Sequence, residues 1–511
     1  MANVLILIAA QRQGFLSAVA KLLSKEHRVA IATSEGVRDN VERSWPEMAK
    51  LVSVRSDFVP DIEGDSIIEQ CLAREEKYGE TFSMISSYDR ALGKGYLFNA
   101  DRHPAIIRSW WPHERKLRHL VDDFLYYEHL MDMHAPDLVV ASFPGKIPTL
   151  VARNHGATTL SISTARFGEK YMWVENEYLE NSRMTESLKQ NLARVADDGE
   201  FSDIDYVQLT ESKVAHSRID YSYGSAFKFA MRRTLKETQG RVRTAASGVI
   251  RRKKLPPRMG YRFLGWVPSR LRRPYVYRYI AKHGVTPAEL EGRRIVYVPL
   301  HLEPEVALLS VSPEFNNSME MIAWVSKSVP ADTVLVVKEQ PFSYGIRSRH
   351  FYDNLRRIGN VFLAHPSTHP WEWIRAAALV ATITGTAGIE AVYFERPVLS
   401  FGRHQIINDL PTVRFANSYE STRAGVDELL QLGESGDRTF KIAKEALYRT
   451  HMDTTFDLPG YADTYGDSRP QLELAEVSIE QLCLQYPGVL EGRGVKGEAD
   501  SQARDPLRSP A

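Results

Sequence analysis

Four polar clusters, each directly after a short apolar run, stand out in the second half of this 511-residue chain. They are His301-Leu-Glu-Pro-Glu305, Lys338-Glu-Gln-Pro341, Ala364-His-Pro-Ser-Thr-His369 and Thr384-Gly-Thr-Ala-Gly388. Their residue types suit the handling of a phosphate ester. Lys338 and His365 can bring positive charge to an anion, and Gln340 and Ser367 can donate neutral hydrogen bonds. In the last cluster, Gly385 and Gly388 let backbone approach a ligand closely, while Thr384 and Thr386 keep the turn small and polar. A helix starting there leaves N–H groups free at the positive end of its dipole, a ready phosphate site. Glu390, one turn into that helix, can accept hydrogen bonds from ribose hydroxyls.

Glu303 and Glu305 flank Pro304, so the local chain is extended and the two carboxylates point apart. Glu305 can then act as a base or take a sugar hydroxyl, with His301 and Glu303 as further residues of the same cleft. His369 and Trp371 read as capping and packing. Each cluster has a bland alternative: a solvated strand-end lysine, a capping histidine, a sharp turn without a ligand. Four in succession are harder to dismiss, because open α/β sheets bind ligands beyond the carboxyl ends of their strands.

The elements needed to position these clusters are legible. Strands are expected over 294–300, 333–338, 361–364, 379–383 and 398–401, with helices over 318–328, 344–357, 371–378 and 389–394 between them. Such alternation predicts a parallel, doubly wound sheet. The N-terminal half opens with a strand (4–9), an amphipathic helix (15–24) and a strand (29–33). Its first turn, Gln11-Arg-Gln-Gly14, lacks G-x-G-x-x-G, which argues against a nicotinamide or flavin site there. Residues 60–130 read as mostly helical, interrupted at Ser87-Tyr-Asp-Arg90 and Gly93-Lys-Gly95. A strand (136–142), a helix (147–154) and a strand (158–162) follow. From 165 to 285 the pattern is helical without clear strands, with the longest helices at 176–195 and 223–243. A last amphipathic helix occupies 470–485, and the tail from about 488 has the composition of a disordered segment.

This yields a Rossmann-like domain over 1–165, a helical insertion with a basic linker over 166–288 and a second Rossmann-like domain over 289–469. A helix over 470–487 would pack back on the first domain, and the tail spans 488–511. The chain exceeds what one core supports.

A formal net charge of +1 gives no global bias towards nucleic acid. Locally the balance differs, since 241–273 holds eleven basic residues and no acidic one. That segment is either a solvated linker face or an anchor for an anionic membrane surface, with Tyr261 and Trp266 interleaved as at an interface. Two cysteines, Cys71 and Cys483, provide neither a disulfide framework nor a metal set, which fits a reducing cytoplasm. The apolar start, 4–9, reads as a strand and not as a signal peptide, and no run is long enough to span a bilayer. Neither a P-loop nor a G-x-S-x-G elbow occurs, and no zinc-binding set stands out, so no metal and no cofactor are expected.

The block Val298-Pro-Leu-His-Leu-Glu-Pro-Glu305, then Val336-Val-Lys-Glu-Gln-Pro341, then Thr384-Gly-Thr-Ala-Gly-Ile-Glu-Ala391 with Arg396-Pro-Val-Leu-Ser-Phe-Gly402 resembles the bacterial capsule polysaccharide biosynthesis proteins. These are glycosyltransferases of surface carbohydrate assembly, related to Kdo- and sialic-acid-transferring enzymes. Over the N-terminal half the best matches are Ser87-Tyr-Asp-Arg90 and Pro136-Asp-Leu-Val-Val140. The resemblance implies two Rossmann-like domains facing across a cleft (GT-B), with the nucleotide-sugar held mainly by the C-terminal one. By position, Gly385, Thr386 and Gly388 would hold the donor phosphate and Glu390 the ribose. The family often has Lys-Glu-His-Pro where this chain has Lys338-Glu-Gln-Pro341. Gln340 then donates a neutral hydrogen bond, or His365 supplies the charge.

The mechanism implied is metal-independent. Helix-terminal N–H groups and Lys338 would stabilise the leaving phosphate. Asp89 or Glu305, with Arg90 nearby, would activate an acceptor hydroxyl as general base. Partners would be a nucleotide-sugar donor, CMP-linked sugars among the candidates, and a glycan or lipid-linked glycan acceptor. A two-Rossmann nucleotide-sugar epimerase and a non-catalytic glycan-binding member are the competing readings.

Overall fold

A computed structural model describes residues 1–60, 66–89, 92, 111–209, 220–232, 235, 239, 259–303, 305–435 and 437–491. Arg90, Gly93-Lys-Gly95, most of the basic 241–273 stretch and the tail beyond 491 lie outside the described residues.

Two seven-stranded sheets carry the fold. In the first, β1 (Asn3–Leu7), β2 (Arg28–Thr33), β3 (Val52–Val54), β4 (Leu138–Ala141) and β5 (Thr158–Thr164) are parallel, in the order β3-β2-β1-β4-β5. β6 (Lys170–Val174) continues this sheet as an antiparallel partner of β5. The second sheet contains β7 (Gly284–Val285), β8 (Arg294–Pro299), β9 (Thr333–Lys338), β10 (Val361–Ala364), β11 (Leu379–Thr382), β12 (Val398–Ser400) and β13 (Val413–Phe415). Its order is β13-β12-β11-β8-β9-β10-β7, parallel throughout. Both are doubly wound, Rossmann-like sheets, and apolar clusters cover both faces of each, as their parallel strands require.

The expected helix 318–328 and the strands 333–338 and 361–364 coincide with the observed elements. Others differ. The stretch expected to lack strands contains β6, because Tyr171, Trp173 and Val174 turn into the core and pair back on β5 through a tight hairpin. The helix expected from 176 begins at Ser182, where the Asn181 side chain caps it. The helix expected from 344 is shorter, Arg349–Arg356. Cys71 is buried and Cys483 exposed, and neither is paired.

The lobes are tied together in three ways. The helix Asp437–Thr454, at the end of the second lobe, packs along the helix Ser182–Asp198. The chain then returns to the first sheet as β14 (Phe456–Asp457), antiparallel to β6. Finally, the helix Leu472–Gln485 packs on the helix Gln13–Leu23, and the Trp173 indole N–H donates to the Ser478 carbonyl at 3.3 Å. With two facing Rossmann-like units and a returning C-terminal helix, the architecture is GT-B-like.

Candidate active site

Strand order decides what meets at the carboxyl edge of the second sheet. The chain leaves β8 for β9 on one side and later returns to β11 on the other. The ends of β8 and β11 therefore flank the topological switch point, where doubly wound sheets open a crevice. His301 follows β8 and Thr384 follows β11. The Thr384 N–H donates to His301 Nε2 at 3.1 Å, and the Thr382 hydroxyl donates to the Thr384 carbonyl at 2.6 Å. Burial, reinforced by the charges of Arg166 and Arg347, lowers the His301 pKa to about 3. The ring is thus neutral, accepts at Nε2 and carries its proton on Nδ1.

Gly385 has φ +99°, a conformation side chains rarely adopt, and a Cβ there would crowd the His301 ring at 3.3 Å. It caps the helix Thr386–Tyr393 without any side-chain cap, so the first N–H groups of that helix have no intrahelical partner. Thr386 is exposed at its mouth. Gly388 is buried, and a Cβ at that position would come within 2.7 Å of Ile407 Cδ1. Glu390 sits one turn on, where burial raises its pKa to about 7 against a hydrogen bond from the Trp371 side chain.

Lys338 ends β9, two strands from β11 and hence about 10 Å from the Gly385 turn. Its ammonium donates to the His365 carbonyl at 3.3 Å, and burial lowers its pKa to about 8 against the pull of Glu372 and Glu339. His365 Nδ1 lies 2.7 Å from the exposed Ser367 hydroxyl. Gln340 uses its side-chain oxygen to cap its own turn, accepting the Phe342 N–H at 2.6 Å. His369 caps the helix Pro370–Ala376.

Glu303 is not free in the cleft. Its carboxylate accepts the Ser318 hydroxyl at 2.6 Å and pairs with Arg347 at 3.1 Å. Arg347 is itself buried and also binds Glu339 at 2.7 and 2.9 Å and the His301 carbonyl at 2.6 Å. One guanidinium thus ties the loops after β8 and β9 together. Burial acts to lower the Arg347 pKa, but Glu303 and Glu339 overcome it and raise it, so the charge persists. Only the fold reveals this hub, because Glu339 lies eight residues from Arg347 whereas Glu303 and His301 lie more than forty away.

Across the cleft, Arg166 stands at the tip of the β5–β6 hairpin with φ 59°. It is half-buried, its charge reaches His301, and Glu305 is its charged neighbour from the second lobe. The next residue, Phe167, anchors the tip by stacking on His451 at 4.8 Å and meeting Tyr393, the last residue of the Gly385 helix, at 5.2 Å. Asp89 ends the helix Phe82–Tyr88, which touches the helix Val306–Val311 that starts after Glu305. Its carboxylate accepts the Leu92 N–H at 3.0 Å. Arg166 carries no motif, and its role depends on a hairpin that the helical reading of 165–285 did not contain.

A second contact across the lobes involves His404, which follows β12. It stacks on Tyr178 at 3.9 Å and pairs with Glu180 at 2.7 Å. Tyr178 in turn accepts from the buried Lys146, which is also paired with Glu80 and Glu177. A cavity of about 280 Å³ lined by Phe82, Ser86 and Lys116 lies within the first lobe, away from the β8–β11 edge. The chemistry gathers at that edge, and the site is accordingly placed there. Among the described residues no group of three or more His, Cys, Asp or Glu could hold a metal ion.

None of the curated proteins matches the chain in sequence. Among solved structures, the chain is similar to KpsC, a β-Kdo 2,7-transferase from Thermosulfurimonas dismutans, with 14% identity, 59% of this chain and 79% of that one covered, and a TM-score of 0.29. It is also similar to S. aureus MnaA solved with UDP (9% identity, 95% and 96% covered, TM-score 0.27) and to Anabaena HepE solved with UDP-glucose (10%, 94% and 100%, 0.27). The two seven-stranded sheets themselves define the fold. The similarity in sequence is more specific and spans the second half of the helix before β7, the four clusters and the Gly385 helix. Residues 272–406 match the sequence model of the capsule polysaccharide biosynthesis protein family.

Proposed function

We propose that this protein is a glycosyltransferase that moves a sugar from a nucleotide-sugar to a glycan acceptor in surface polysaccharide assembly. The observation that supports this most directly is the joining of His301 to Thr384 at the switch point, beside a helix mouth that no side chain caps. The family match over the same residues points the same way.

In this reading the free N–H groups of the Gly385 helix and the His301 Nδ1–H donate to the donor phosphates, with Lys338 adding charge from the neighbouring strand end. Glu390 takes the ribose hydroxyls. The acceptor oxygen attacks the anomeric carbon, the bond from that carbon to the phosphate oxygen breaks, and its electron pair leaves with the phosphate. The acceptor's proton passes to Glu305 or Asp89. Arg166, approaching from the first lobe, positions Glu305 and adds positive charge where the phosphate charge grows. Charge stabilisation then comes from protein donors without a metal ion. The acceptor is a surface glycan or its lipid-linked precursor, met at the cytoplasmic face of the membrane.

The test is a thermal-shift panel of CMP-, UDP-, GDP- and dTDP-sugars, followed by product analysis with and without acceptor. A donor at 100 times its dissociation constant adds about 2.7 kcal/mol of stability. No shift with any donor would overturn the reading. Conversion of a donor in the absence of acceptor would replace transfer by epimerisation.

A further inference from the structure

Outside the cleft, the described surface has one apolar stripe with helical spacing. The helix 223–232, capped by Ser222 through the Ser225 N–H at 3.1 Å, exposes Tyr223 (46%), Phe227 (59%) and Met231 (56%). Leu235 continues the spacing at 62%. At four-residue intervals these side chains fall within an arc of about 120°. Lys228 and Arg232, both exposed, border the arc on one side, and the buried Ala226 and Ala230 border it on the other.

The stripe is held on the second lobe and does not hang free. The Arg278 guanidinium lies 4.5 Å over the Tyr223 ring and Arg270 lies 4.4 Å over Phe229. Both arginines belong to the helix Met259–His283, which exposes its own Leu271 and Tyr275. Tyr221 stacks on Tyr277 at 4.3 Å. Arg273 donates to the carbonyl of the exposed Phe342 at 3.1 Å, so the surface adjoins the loop after β9. The charge is equally one-sided. Between residues 221 and 285 the sequence holds 17 Lys and Arg and a single acidic residue, Glu237, in a chain whose net charge is +1.

A water-facing helix has no use for four large apolar side chains in a row, and a partner of mixed charge would not call for so unbalanced a border. An apolar stripe edged with cations is the layout of a helix lying in a membrane interface, its apolar side chains among the acyl chains and its cations at the headgroups. We propose that this face, centred on Phe227 and Met231, docks the protein on an anionic lipid surface. The proposal is independent of the sugar-transfer reading. It moves the contact from the basic 241–273 stretch to a formed helix beside it. Among the described residues no helix is long and apolar enough to cross a membrane, so the contact is peripheral to the bilayer.

The test is co-sedimentation of the full chain with phosphatidylcholine vesicles, with and without phosphatidylglycerol, at low and high salt. Binding is expected on the anionic vesicles, at least about tenfold stronger than on neutral ones, and weaker at high salt. The double variant Phe227→Ser/Met231→Ser should lose that binding while keeping the wild-type melting temperature, since both side chains are exposed. Equal binding to both vesicle types, no binding, or full binding by the double variant would overturn the proposal. So would a dimer in light scattering that the double variant dissociates, because the face would then belong to a second copy.

Discussion

His301 and Thr384 are 83 positions apart and are joined by one hydrogen bond, the Thr384 N–H donating to Nε2 at 3.1 Å. This bond fixes the histidine's tautomer and holds the Gly385 turn against the end of β8. With a pKa near 3, the imidazole should show no titration between pH 5 and 8 by NMR. His301→Ala should reduce kcat/KM by about 10²-fold or more, the loss expected when one preorganised donor is removed.

Arg347 should matter for folding more than for substrate affinity. Replacing it with Met leaves Glu303 and Glu339 buried without their shared cation. Removing one partner of a buried ion pair costs about 3–5 kcal/mol. Urea unfolding of Arg347→Met should show a loss of that size, and Arg347→Lys should recover only part of it, because the two-pronged geometry is lost.

Glu390 titrates near 7 because burial disfavours its ionised form. The folded state therefore binds more protons than the unfolded chain between the ordinary carboxylate value and about 7, and stability falls as pH rises through that window. Ionised Glu390 is the better hydrogen-bond acceptor, so donor affinity should rise across the same window. Glu390→Gln should abolish both trends, measured by melting temperature and by calorimetric titration with donor from pH 5.5 to 8.5.

The His404–Glu180 contact has the opposite sign. Burial acts to lower the His404 pKa, but Glu180 and Glu314 raise it above the ordinary value. Its contribution is complete below the unfolded value of about 6.5 and is lost as pH rises through the folded one. Hydrogen exchange across residues 176–181 and 403–408 should therefore speed up at alkaline pH, and Glu180→Gln should make it fast throughout.

Phe167 binds the hairpin tip to the second lobe. Phe167→Ala removes its stacking on His451 and its contact with Tyr393 and should cost about 3–5 kcal/mol. Because Arg166 is carried by the same tip, kcat should fall as well. Arg166→Ala alone should lower kcat without the stability loss, since its side chain is only half-buried.

Sequence periodicity located the buried strands of the second sheet because a strand covered on both faces reads as an unbroken apolar run. Thr333–Lys338 and Val361–Ala364 were legible to the residue for that reason. β6 was not, because its partner is a hairpin neighbour and its five residues alternate half-buried with buried only as far as Trp173, with Val174 buried as well, a pattern that a short helical segment also allows. The strands Val52–Val54, Gly284–Val285 and Phe456–Asp457 are too short for any periodicity to register.

By itself the chain of residue types determined that four strands would end in polar loops on one edge, since parallel strands joined by helices must all point the same way. It also singled out Gly385, the position at the mouth of the helix that only glycine occupies without strain. Which loops touch was decided by strand order alone. Inserting β8 between β9 and β11 put His301, not Lys338, beside Thr384, and drew Lys338 towards His365. The same folding engaged Glu303 with a buried arginine and brought Arg166 from the other lobe to face Glu305. Such pairings join residues tens to hundreds of positions apart; strand order sets the distances within the second lobe, and only the packing of the two lobes sets that between Arg166 and Glu305.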